Sequence, residues 1–205
     1  MGCRMASNVR MPLDFSEGDR LSIRLLLVLW MAAAAQAATL RYWVEPCNGP
    51  EAVCHAGDPE LAQWAMETWQ AASGGALVLA QAPSKEKAHI RVDWAAGRAG
   101  LYGEARPIVV DGVRGAEVYV VTPAAGGDGL LRDAIVYLTC VHETGHALGL
   151  EHTAAFADIM YSFQFGGDIP EYFARYRRKL ATRADIRMTS PLSDNDRKRL
   201  AERFR

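Results

Sequence analysis

His142-Glu143-Thr144-Gly145-His146-Ala147-Leu148-Gly149-Leu150-Glu151-His152 contains three of the five histidines of this chain and decides how the rest of it is read. At ~3.6 residues per turn, His142 and His146 stand one above the other on one helix face, close enough to bind the same metal ion. A helix continued to position 152 would point His152 roughly 240° away from His146. Gly149 removes that obstacle, because glycine takes the left-handed conformation that ends a helix and swings the chain back. Three neutral imidazoles suit Zn²⁺ and leave a fourth position open to water, the arrangement of a catalytic rather than a closed structural site. Glu143 follows the first histidine directly. A carboxylate there lies beside such a water without being a ligand, takes its proton and passes it to a departing amine, while the metal polarises the carbonyl under attack. Surface histidines by coincidence are the competing explanation, but five specified positions arise by chance on the order of one time in 10⁵ in a chain of this length.

Outward from the motif, Leu131, Ile135, Leu138 and Val141 form an apolar stripe, which predicts a helix over residues 130–148 that carries the histidines. The segment before it reads mainly as strands: 39–44, 76–80, 88–94, and a stretch of strand and turn over 100–121 in which 107–110 and 116–121 are separated by Asp111-Gly112. One helix interrupts them. Asp58 is a good N-cap for it, Pro59 fits its first position, and Leu61, Trp64, Ala65, Thr68, Trp69 and Ala72 form a stripe suited to core packing. After the motif, Phe173, Tyr176 and Leu180 recur at helical spacing within 170–180, and Ser193 followed by Asp196 resembles a capping box for a last helix reaching Phe204.

HETGHALGLEH resembles the extended zinc motif of the metzincins, in particular of their matrixin-like branch. A second signature agrees: Asp158-Ile159-Met160-Tyr161 resembles the Met-turn of that family, with Met160 eight residues after His152. By this resemblance Met160 is an apolar floor under the metal site and not a ligand. Weaker similarity extends to 88–92 (AHIRV) and 100–107 (GLYGEARP), to Glu117–Val121 as the strand edge along which an extended peptide pairs, and to Pro191-Leu192-Ser193 before the last helix. The likeness covers most of 38–163 and the C-terminal helix. It implies a single α+β domain: a mixed, twisted sheet backed by the first helix and the zinc helix, with the cleft between the edge strand and the Met-turn. It also implies one catalytic zinc on His142, His146 and His152, with Glu143 as general base in the hydrolysis of internal peptide bonds.

The chain departs from the family in several places. The cysteine-bearing inhibitory propeptide has no counterpart before Thr39. The additional histidines that hold a structural zinc in many matrixins are missing, with only His55 and His89 to spare, and calcium sites are not assigned. Residues 164–189 read as an insertion in the region that borders the S1' pocket in relatives. Arg175, Arg177, Arg178, Lys179, Arg183 and Arg187 make it basic, which suits a solvated helix face or, alternatively, a site for an acidic substrate or surface polymer.

At 205 residues the chain has room for one domain with a full core, and a formal net charge of −1 gives no global pull toward nucleic acid or anionic lipid. Arg20 and Arg24 precede the apolar run 25–35, which is followed by Ala35-Gln36-Ala37, a small-x-small pattern suited to signal peptidase. The run is about half of the ~20 residues a membrane span needs, so residues 1–37 are expected to be a removed signal and 38–205 the metalloprotease domain, secreted or periplasmic and monomeric. In an oxidising compartment a bridge between Cys47 and Cys54 is permitted, two free thiols or a metal pair with His55 being the alternatives. Cys140 reads as a buried small side chain. Two other functions fit the same residues: a zinc hydrolase for one dedicated amide target, and a secreted zinc-containing binding module without turnover, against which the intact Glu143 weighs.

Overall fold

The computed structural model describes residues 36–48, 52–97, 102–124 and 127–205, so the expected signal run 25–35 lies outside the described residues. Five strands form one sheet: β1 (Ala38–Val44), β2 (Leu77–Gln81), β3 (Ile90–Ala95), β4 (Gly103–Val110) and β5 (Val113–Val121), in the order β2-β1-β3-β5-β4. All neighbours are parallel except β4 and β5. With the helices α1 (Asp58–Ala72), α2 (Gly129–Ala147), α3 (Ile169–Arg177), α4 (Asp185–Met188) and α5 (Asp194–Arg203), the architecture is the α+β arrangement expected.

Alternation explains which sheet face is covered. Ile90, Val92 and Trp94 of β3 and Ala116, Val118 and Val120 of β5 are buried in the core. Leu61, Ala65, Met66 and Trp69 of α1 and much of α2 belong to the same core, α2 packing on β5 and α1 on α2, β1 and β2. The edge beside the cleft is not where the sequence put it. Glu117–Val121 lies inside the sheet, and β4 is the edge. The cause is the two-residue turn: Asp111 (φ 51°) and Gly112 (φ 78°) both adopt the left-handed conformation of a tight hairpin. This turn folds β4 antiparallel onto one side of β5, while β3 occupies the other.

Two helix readings are also corrected. The apolar stripe of α2 is too narrow, since every residue from Val136 to Val141 is buried: the helix packs on the sheet, on α1 and on α3. Asp58 is not an N-cap but the first helical residue, and Gly57 occupies the cap position without a side-chain bond. The Asp58 carboxylate instead receives both terminal nitrogens of the buried Arg132 at 2.7 Å, and the His55 N–H at 2.8 Å. A buried guanidinium without a counter-charge costs several kcal/mol, roughly 3–5, against about 1 for a missing cap, so the ion pair takes the carboxylate.

The remaining local readings agree with the structure. Ser193 and Asp196 form the capping box of α5, Cys47 and Cys54 are joined in a disulfide, and Cys140 is buried, which pushes its thiol up and leaves it unreactive. No helix among the described residues is long and apolar enough to cross a membrane.

The Arg132–Asp58 pair joins α2 to the start of α1. Arg132→Met is expected to lower unfolding free energy by about 3–5 kcal/mol in urea titrations, because it strands a buried carboxylate. Adding Asp58→Asn to that variant should recover part of the loss.

Candidate metal centre

The end of α2 is built for a sharp return. Leu148 is the last residue in helical conformation and Gly149 follows at φ 91°. The Leu150 N–H donates to the Gly145 carbonyl and the Gly149 N–H to that of His146, both at 2.9 Å, which is a Schellman turn. This turn carries His152 back over the helix face that displays His142 and His146.

The three imidazoles then meet. His152 Nε2 lies 3.2 Å from His142 Nε2 and 3.1 Å from His146 Nε2. The other nitrogens of the helical pair face acceptors: His142 Nδ1 is 2.7 Å from the Ile159 carbonyl, and His146 Nδ1 is 2.8 Å from that of Leu150. A carbonyl accepts only, so both Nδ1 atoms carry the proton and both Nε2 atoms present a lone pair. One proton on His152 Nε2 satisfies a single one of its two contacts, so at least one contact at hydrogen-bond distance has no hydrogen bond. A shared cation resolves this. Tetrahedral zinc with Zn–N bonds of ~2.05 Å sets its ligand nitrogens about 3.3 Å apart, close to the spacing seen. Burial, ahead of the effect of neighbouring imidazoles, pushes His142 down to about 4 and lowers His146 and His152 as well, which keeps all three neutral and ready to ligate. Among the described residues this triad is the one group of three or more side chains able to hold a metal ion. His89 is employed elsewhere: buried, it accepts the Arg41 N–H at 2.9 Å through Nδ1.

Glu143 is buried beneath β4. A Cβ on Gly103 would stand 2.7 Å from its Cγ, so the edge strand lies directly on the carboxylate. Burial, and behind it the charge of Glu104, push its carboxyl up to about 8.

Met160 is fully buried under the histidines, and a Cβ on Gly145, between the two helical ligands, would come within 2.4 Å of its Sδ. The turn that holds it is tied to α5 by two carboxylates. Asp196 accepts the N–H groups of Ser193 and Ile159 at 2.9 Å, so the residue read as a helix cap also clamps the turn. Asp158 accepts from Ser193 Oγ and Asn195 Nδ2 at 2.7 Å each; burial opposes its charge, but these bonds hold its pKa below the ordinary range.

A cavity of about 400 Å³ opens between Glu143 and an aromatic wall that includes Tyr102, Phe163, Tyr172 and Phe173. The sequence placed segment 164–189 at the border of the pocket, but marked none of Tyr102, Phe163, Tyr172 and Phe173 individually as a cleft residue. The latter half of this wall comes from the basic segment 164–189, in which Arg178, Lys179 and Arg187 are exposed but most of the arginines have carboxylate partners. Arg177 pairs with Asp128 at 2.8 Å, Arg183 with Asp133 at 3.0 Å and also with Glu60, and Arg187 with Glu67 at 2.7 Å. Arg175 lies over the rings of Tyr172 and Phe156, 4.4 and 4.9 Å from their centroids. Three of the six cations thus fasten the segment to α1 and to the start of α2, whereas Arg178 pairs with Glu171 of α3.

Residues 36–167 match the model of the matrixin family. No match was found among curated proteins. The aromatic residues Tyr172 and Phe173 and the clamp at Asp196 lie beyond the matched span.

Gly149→Ala places a side chain at φ 91°, with its Cβ 2.8 Å from Arg203 Nε. The expected result is a stability loss of about 1–2 kcal/mol and a zinc affinity at least tenfold weaker in competition with a chromophoric chelator, because His152 loses its position. Unchanged affinity would mean that the turn does not set the third ligand.

Proposed function

The chain belongs to the matrixin family of zinc metallopeptidases, and from that membership we propose that it is an exported zinc endopeptidase with His142, His146 and His152 as metal ligands and Glu143 as general base. The observation that carries this reading is the convergence of three imidazole lone pairs directly beside a buried carboxyl. Zinc held there supplies Lewis acidity toward a scissile carbonyl and toward water.

Each remaining part of the reaction falls to a residue of this chain. The Nδ1–H bonds of His142 and His146 to backbone carbonyls fix the tautomer and the ring planes. Glu143, ionised beside a bound cation, would take a proton from the attacking water and deliver it to the departing amine. The edge of β4 offers unpaired backbone groups to an extended peptide, which adds to the sheet as a further strand. The aromatic cavity then receives an apolar side chain next to the scissile bond. In this reading residues 1–37 are a signal removed on export and 38–205 the peptidase domain. The Cys47–Cys54 disulfide supports an oxidising compartment, and matrixins are typically secreted.

The test compares the parent with Glu143→Gln for zinc content and for cleavage of a mixed peptide library. About one zinc in each protein, with cleavage by the parent alone and its loss on chelation, is the expected outcome. A parent that binds zinc but leaves every peptide intact would move the binding-module or dedicated-target reading ahead.

A further inference from the structure

The edge strand β4 passes the metal centre and borders a hollow on each side of it. Gly103 and Ala105 line the aromatic cavity, whereas Ala105 and Pro107 line a second groove of about 550 Å³, and the two hollows share Ala105 and His146. A peptide paired with β4 therefore has room in both.

The second groove differs in chemistry from the first. Its apolar lining includes Leu40, Ala116, Leu148 and Phe204, and two exposed guanidinium groups, Arg114 and Arg203, stand over it. Arg114 falls on the helix-facing side of β5, two and four residues before the buried Ala116 and Val118. Arg203 comes from the end of α5 and crosses the turn at Gly149. Neither makes a hydrogen bond or an ion pair among the described residues, in contrast to Arg132, Arg177, Arg178, Arg183 and Arg187, each of which has a carboxylate partner. No Asp or Glu lines the groove. Arg203 is not consumed in capping α2 either, because the Schellman turn already satisfies the carbonyls of Gly145 and His146. On a chain of net charge −1, two uncompensated cations over one apolar groove form a local feature, not part of a general basic surface.

We propose that this groove is a second specificity site of the cleft and selects peptides carrying an acidic side chain on the side of the scissile bond away from the residue held in the aromatic cavity. Arg114 and Arg203 supply the counter-charges, and the apolar lining accommodates the methylene part of a Glu or its neighbour. The inference rests on the peptidase reading given above.

Two labelled peptide pools of about ten residues serve as probes. Each has a fixed central Leu, and the pools are identical except for Asp and Glu in one and Asn and Gln in the other. They are offered to the full chain, to the Arg114→Ala/Arg203→Ala variant and to Arg114→Lys/Arg203→Lys. The expected result is about a tenfold preference of the parent for the acidic pool at low salt. The products should place the acid on the side away from the bulky apolar residue. The ratio should fall toward one in the double-alanine variant and in roughly 0.5 M salt, and should persist when both charges are kept as lysine. A parent ratio near one, or a preference that survives loss of both arginines, overturns the proposal. If the parent cleaves neither pool, the peptidase reading has failed, and fluorescence anisotropy of the same pools with Glu143→Gln decides the groove separately. Tighter binding of the acidic pool that depends on the two arginines supports it, and equal binding of both pools overturns it.

Discussion

Two imidazole lone pairs, on Nε2 of His142 and His146, face Nε2 of His152 at 3.1–3.2 Å, where a single proton cannot satisfy both contacts and a shared cation can. A chain left to itself relaxes that arrangement by turning a ring or fraying a helix end. Here the rings are not free to turn, because two of them donate their only N–H to the carbonyls of Ile159 and Leu150. Nor is the helix end free to fray, because the turn at Gly149 closes with two backbone hydrogen bonds. The three imidazoles are held in one place, and much of the rest of the fold is explained by what that holding requires.

The Ile159 carbonyl that orients His142 belongs to the turn carrying Met160, so that turn has to be rigid too. Its rigidity comes from the far end of the chain. Asp196 takes N–H groups of both the turn and α5, and Asp158 takes donors from Ser193 and Asn195. Beneath, Met160 fills the space left by the missing side chain of Gly145, and Trp69 donates its indole N–H to the Val141 carbonyl at 2.9 Å. The histidine triad, turn, last helix and core thus form one mechanical unit. A change in any of them is felt at the imidazoles as a loss of position rather than a loss of chemistry.

The borders of the cleft follow a different logic. Its upper border is an edge strand, which exists because a two-residue turn leaves β4 with one neighbour. Half of its aromatic wall, Tyr172 and Phe173, stands on α3, and Arg177, Arg183 and Arg187 fasten this part of the chain to carboxylates of α1 and of the start of α2. Each exposed pair of this kind contributes on the order of 0–1 kcal/mol. Several together, with Arg175 over the rings of Phe156 and Tyr172, fix the wall, and the Tyr172 hydroxyl, which donates to the Ile159 carbonyl at 3.1 Å, ties it to the metal centre.

The sequence by itself determined what depends on neighbours along the chain. Histidines four residues apart on a helix, a glycine where the helix must end, a Ser-x-x-Asp cap and a Met at a set distance were all legible, and with them the metal centre and the α+β class. Tertiary structure alone decided what depends on which distant segment arrives. Asp58 looked like a helix cap until Arg132, 74 residues away, claimed its carboxylate. The edge strand was misplaced because strand order depends on pairing between segments, and alternation reports only which face of a strand is buried. The basic run 164–189 read as a solvated face or an anion site because a list of arginines does not reveal their partners, Glu60, Glu67, Asp128 and Asp133, which lie 49 to 123 residues before the arginines they meet. Periodicity is local, whereas the pairing of charges and strands is set by the packing of the whole core.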